Sequence, residues 1–314
     1  MPPSIKPMLR CRDAYLVIVL AIILTIFPAG PIWGQEDESA GNVFGFAEFL
    51  YDEGDYFRAI GEYKRFIFLH PTAVQTEKAA FRIVESYFHA KRWPEAIVAA
   101  QQFLAKYSAS PLYFQMLYLK GRLEKLDNKH DEALNTFNAL VKARVPQYSD
   151  KAVYQKALIH LERLDWQGAH DLLLQVPTDS PVHSLSFPFA AEVVGGETLP
   201  RKSPLAAGLL AAALPGAGHL YAARPRDALV AFLLNGTFVW GVIELFRHDD
   251  YVAGGILSFF ELGWYSGNIY SAISSVHKYN RNLEEDFIRR LENKYTLSFQ
   301  HVQGVPTITI GKRF

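Results

Sequence analysis

FAEFLYDEGDYFRAIGEYKRFIFLHP, residues 46–71, carries apolar residues at helical spacing on both sides of Gly54-Asp55, which predicts helix, turn, helix. The pattern recurs. Ala59, Ala96, Ala133 and Ala169 each stand early in a second helix, 37, 37 and 36 residues apart, and twelve positions before each lies Ala47, Val84, Gly121 or Ala157. Helices approach closely only where side chains are short, so each pair marks the crossing inside a helical hairpin.

These positions resemble the tetratricopeptide repeat (TPR) family over about residues 40–176. Ala47, Ala59, Tyr63 and Pro71 in the first repeat, and Gly121, Ala133 and Phe137 in the third, stand where the family's pattern wants them. Ala100 replaces a usual large aromatic, and the fourth repeat ends early at Pro177. The resemblance implies an all-α fold, with a solenoid of four helical hairpins over 35–176. Fifteen positions before the marker alanines stand Phe44, Phe81, Tyr118 and Tyr154. In the family this position lines the concave groove. The resemblance therefore implies a ladder of rings, flanked by Arg82 and Arg122, that binds a peptide or protein ligand. The alternative is that the rings pack between repeats.

The 314 residues hold 32 basic and 32 acidic side chains, so no global field points to nucleic acid. Residues 1–34 read as a secretory signal: Lys6, Arg10 and Arg12 precede the uncharged stretch Ala14 to Phe27, with cleavage expected between Gly34 and Gln35. An uncleaved anchor is the other reading. The one cysteine, Cys11, lies inside that segment, so the mature chain would have no disulfide or thiolate metal site. No third glycine completes a dinucleotide fingerprint, and neither a Walker lysine, a His-Glu-x-x-His pair nor a Gly-x-Ser-x-Gly elbow occurs. We therefore expect no catalysis, cofactor or metal.

Residues 177–203 lose the periodicity and are rich in proline, which predicts a linker. From Leu205 to Val276 only eight residues are charged, six of them in the breaks 224–227 and 247–250. Three apolar segments result, about 204–222, 227–246 and 251–276, and the last two reach the length of a bilayer span. The stretch SPLAAGLLAAALPGAGHLYAARPRDALVAFLLNG resembles the Pro-Gly-x-Gly-x-x-Tyr signature of TM2-like and DUF5683-like membrane domains, through Pro215, Gly216, Gly218 and Tyr221. That implies a small helical membrane module, 204–280. If all three segments cross, the repeats face outward and the C-terminus inward, in keeping with the positive-inside tendency.

Glu261 lies deep in the third segment, at about the level of Asn235 on the second, and the two are expected to interact across the helices. Gly263, Gly267 and Ser271 follow at four-residue spacing, a stripe that lets a helix pack closely, either within the chain or in a homodimer. Residues 281–314 read as a charged helix and two short strands about Gly304. The sequence thus predicts a scaffold that binds a protein partner and contacts membrane lipid. Its expected place is a bacterial inner membrane, with the repeats in the periplasm. The alternative is a membrane-embedded enzyme or transporter accessory working through Glu261.

Overall fold

The computed structural model describes residues 33–295, 297–302 and 305–310. The signal expected over 1–34 lies outside them, apart from Trp33 and Gly34. The described residues form helices and one antiparallel β-hairpin, and the chain divides into two compact units at Asp127–Asn128, within the third repeat.

The first unit contains α1 (Trp33–Asp52), α2 (Tyr56–Leu69), α3 (Thr76–His89), α4 (Trp93–Lys106) and α5 (Tyr113–Leu126). The second begins with α6 (His130–Ala143), α7 (Pro146–Glu162) and α8 (Trp166–Leu174). All eight small marker residues are buried, from Ala47 to Ala169, as helix crossings require. The helices follow the hairpin order of TPR proteins.

A second periodicity lies in the backbone. Gly54, Lys91, Asn128 and Leu164 are all left-handed, with φ of 79°, 56°, 58° and 62°, and they repeat the 37, 37 and 36 spacing of the alanines. Each ends the first helix of its repeat and turns the chain back. Glycine and asparagine adopt this conformation readily, whereas a branched side chain is strained there.

Residues 177–203 are not a free linker. They contain α9 (His183–Val193), which buries Leu185, Phe189, Ala190 and Val193 against the last repeat. Phe189 caps the last repeat, while Phe187 is exposed.

The remaining elements are α10 (Pro204–Ala213), α11 (Ala217–Tyr221), α12 (Pro225–Arg247), α13 (Tyr251–Lys294) and the strands β1 (Leu297–Val302) and β2 (Val305–Ile310). Leu297 pairs with Ile310 and Val302 with Val305, so the expected hairpin forms. No boundary falls at residue 280. Helix α13 is continuous for 44 residues, about 66 Å at the standard rise. Its far end enters the core of the last repeat: Leu291 and Tyr295 are buried there, and the Phe189 and Tyr295 rings stack at 4.8 Å.

That packing corrects the expected topology. Residues 287–295 share a core with Tyr154 and Trp166, so the last repeat and the end of α13 lie on one side of any bilayer the module enters. Three full crossings would separate them. The first apolar segment is also broken: α10 has ten residues, about half a bilayer core in length.

Among the described helices one is long and apolar enough to cross a membrane, α12, with 23 residues. The third segment does not pass that test by itself, because Glu261, Asn268 and several serines interrupt it. Leu229, Phe232, Trp240, Ile256, Phe259 and Leu262 are nevertheless exposed along α12 and α13.

The left-handed turns yield a prediction. Leu164→Gly removes Cβ strain at φ 62° and is expected to raise stability by about 0.5–1 kcal/mol in urea unfolding. Gly54→Ala should lower it by a similar amount.

Candidate functional site

The ring ladder is interior. Phe81, Tyr118 and Tyr154 are 6 %, 1 % and 0 % exposed. Phe81 meets Phe103 at 6.0 Å, and the Tyr154 hydroxyl donates to the Tyr295 carbonyl. Phe44 is half-buried against Tyr63 and Phe66, with the Lys78 ammonium 5.0 Å from its ring centre. The rings therefore fill contacts between helices: Phe44 and Phe81 meet the second helix of their own repeat, and Tyr154 meets Phe189 and Tyr295 beyond the repeats. Arg122 is half-buried, its guanidinium 5.3 Å from the Phe88 ring centre.

Arg82 is buried as well. Its Nε donates to Glu48 at 2.9 Å and its Nη1 to Glu85 at 2.9 Å, joining α1 to α3. Glu48 also accepts from Lys78 at 2.9 Å and from the Tyr63 hydroxyl. Burial pushes the Glu48 carboxyl up, but the hydrogen bonds from Tyr63, Lys78 and Arg82 outweigh it and hold it below its ordinary value. Glu85 is more deeply buried. Desolvation pushes it up to about 7, with Arg82 offsetting only part of the effect. The cluster is a desolvated charge network that orients the first two repeats.

On the other side of α3 the first unit has a cleft of about 550 Å³ between α2 and α4. Ile67, Ile83, Val98 and Phe103 make it apolar, and Lys64 and Lys106 stand at its edges. Val98 is 53 % exposed. Concave apolar surface with a few charged groups is the usual form of a binding site. The sequence reading missed it because it followed the first helix of each repeat, whereas Lys64, Val98 and Lys106 belong to the second helices.

In the second unit Pro215, Gly216, Gly218 and Tyr221 form a tight corner. Gly216 has φ +89°, and a side chain there would strike the Ala228 carbonyl. A Cβ on Gly218 would meet the Ala207 carbonyl and stand 2.7 Å from the Ala272 Cβ. The Tyr221 hydroxyl accepts from the Ser203 amide at 3.1 Å, and the Tyr221 carbonyl accepts from Lys202 Nζ at 2.7 Å. The motif thus folds α10 and α11 onto α13.

Asn235 and Glu261 are both buried but do not pair. Asn235 Nδ2 donates to the Ala231 carbonyl at 2.7 Å, while Asn235 Oδ1 and both Glu261 oxygens lack a hydrogen-bond partner. The expected interhelical hydrogen bond is therefore not made. Gly263 and Gly267 do not serve packing within the chain either, since nothing lies within 4 Å of a Cβ built on them. Ser271 is held by His219 Nε2 at 3.1 Å.

The hairpin repeats resemble those of tetratricopeptide repeat proteins in helix order and spacing. The family described as YfiO: Outer membrane lipoprotein matches residues 36–164, under half of the chain. A tetratricopeptide repeat protein from Parabacteroides merdae, known from a crystal structure, is 14 % identical with a TM-score of 0.42, covering 82 % of this chain and 100 % of that one. No curated protein matched the chain.

The charge network yields a prediction with a defined sign. Arg82→Met removes the guanidinium from the buried Glu85 and leaves Glu48 to Lys78 and Tyr63, and is expected to cost about 3 kcal/mol in urea unfolding. Below pH 4.5 Glu85 is protonated in the folded and unfolded chain alike. As pH rises towards 7 the unfolded chain ionises first, so stability is lost across that window. Glu48, held low, acts in the opposite sense, its contribution being lost as pH falls below 4.5. Glu85→Gln should remove the loss between pH 4.5 and 7 and leave the acid limb, read by thermal unfolding.

Proposed function

We propose that the chain is a non-catalytic scaffold tethered in a bacterial inner membrane, its repeats in the periplasm, where it recruits a protein or peptide partner for envelope assembly. The observation that carries this reading is the junction of two surfaces in one fold. An exposed apolar hairpin, α12 and α13, continues through α13 into the core of the last repeat. The match to an outer membrane lipoprotein family supports an envelope setting.

In this reading α12 and α13 enter as a hairpin from the periplasmic side, with the turn 248–250 at the far face. Helices α10 and α11 enter only part way and return. Arg224, Arg226, Lys278 and Arg281 then lie on the repeat side, against the positive-inside tendency. A basic N-terminal signal usually dominates orientation, and long domains are translocated regardless of flanking charge. The partner occupies the cleft between α2 and α4, where apolar walls meet the cations Lys64 and Lys106.

The test has two arms. Single cysteines at Asp249 and Asp286, in a Cys11→Ser background, are treated with an impermeant thiol reagent in spheroplasts. Labelling of Asp286→Cys alone is expected, and labelling of Asp249→Cys alone would overturn the orientation. A photo-crosslinking residue at Val98 is expected to capture one envelope protein that the same residue at Phe68, outside the cleft, does not. Equal capture at both would remove the cleft from the account.

One observation favours a second reading: the two Glu261 carboxylate oxygens are buried without partners, and an ionisable group at membrane depth is often functional. In the scaffold reading Glu261→Gln leaves cell-envelope integrity and partner capture unchanged. Loss of function with fold and membrane association intact would favour an accessory role in transport.

A further inference from the structure

Helices α11, α12 and α13 border a cavity of about 1050 Å³. Gly263 and Gly267 form part of its wall, and no atom lies within 4 Å of a Cβ at either. Nothing inside the chain requires glycine there, although glycine in a helix interior costs roughly 1 kcal/mol relative to alanine. Two side chains more than nine-tenths buried line the same space, Asn235 and Asn268. Asn235 Oδ1 and both amide atoms of Asn268 have no hydrogen-bond partner. Buried amides left unpaired cost about 1–3 kcal/mol each.

The lining is ordered along the helices. At one end, beside α11, stand His219, Arg224 and Asp227. His219 Nδ1 is unpaired. Arg224 donates to Ser275 Oγ at 3.1 Å and pairs with Asp227, which leaves further guanidinium N–H groups available. Asn268 lies about 4.5 Å along the axis from Ser271. Beyond Gly267 the walls become apolar, through Leu234, Phe259 and Phe260.

We propose that this cavity binds a glycerophospholipid with an ammonium-bearing headgroup, taken from the leaflet at the Arg224 end. The phosphate pairs with Arg224 and His219, and the ammonium with Asp227. An ester carbonyl accepts from Asn268 Nδ2, and one acyl chain lies over Gly267 and Gly263 towards Phe260. A charged end, buried amides deeper along the helices and an apolar remainder match that molecule group by group, and cavities of this kind bind small amphiphiles. The inference rests on the membrane reading above.

The test is native mass spectrometry of the full chain in micelles containing equal phosphatidylethanolamine and phosphatidylglycerol. One phosphatidylethanolamine per chain is expected to survive conditions that strip the remaining lipid. Gly267→Leu, which fills open space, should reduce that retention at least tenfold with an unchanged melting temperature. Asp227→Asn should abolish the preference over phosphatidylglycerol. Lipid adducts that follow supply and ignore Gly267→Leu would overturn the proposal, as would displacement of the lipid by millimolar inorganic phosphate, which would mark a free-anion site. Carbonate extraction separates the two failures: a chain that stays in the membrane without retained lipid refutes this inference alone, and one that is released refutes the membrane reading as well.

Discussion

The burial of Leu291 and Tyr295 in the core of the last repeat is the contact on which the second unit depends. Tyr154, Phe189 and Tyr295 form a continuous aromatic contact, with centroid separations of 5.9 and 4.8 Å, and Trp166 meets Phe287 edge-on at 5.7 Å. These rings come from α7, α8, α9 and α13, separated by more than a hundred residues of chain. Most of the stability of a helix in a protein comes from the packing of one of its faces. Here one end is covered by the repeat and the other by α10, α11 and α12. Arg201 to Glu284 at 2.7 Å, and the two hydrogen bonds between Lys202 and Asn280, close the seam between them.

The small residues of the Pro215–Tyr221 corner make that arrangement possible. Gly218 lets α11 reach the Ala207 carbonyl and the Ala272 methyl group, and Gly208 lets α10 meet the Ile273 side chain. In the repeats the alanine pairs perform the equivalent task. The same physical rule, short side chains at crossings, thus organises a solvated half and an apolar half of one chain. Gly263 and Gly267 depart from it, being small where nothing in the chain approaches.

The repeats were legible because their crossings use alanine and glycine at fixed phase, a signal visible in one sequence. The turns were only half legible. Gly54 and Asn128 announce a left-handed turn, whereas Lys91 and Leu164 adopt it because the flanking helices hold them there. Phe81, Tyr118 and Tyr154 share one phase of the repeat, but whether a ring faces a groove or a neighbouring helix depends on packing that periodicity does not encode. Arg82 misled for the same reason: a buried guanidinium and a solvated one look alike until Glu48 and Glu85 are placed beside it. The continuity of α13 through residue 280 was hidden by its change from apolar to charged, which reads as a boundary although the backbone hydrogen bonds run on. The cleft at Val98 and the unpaired amide of Asn268 needed three dimensions.

Hydrogen exchange on the full chain tests most directly whether α13 is a structural member of the last repeat. If Phe287, Leu291 and Tyr295 hold that core, amides of 284–294 should exchange by the same opening as those of α7 and α8, with matching protection factors and matching sensitivity to urea. Residues 284–294 exchanging at the rate of a free helix, while α7 and α8 stay protected, would contradict the account.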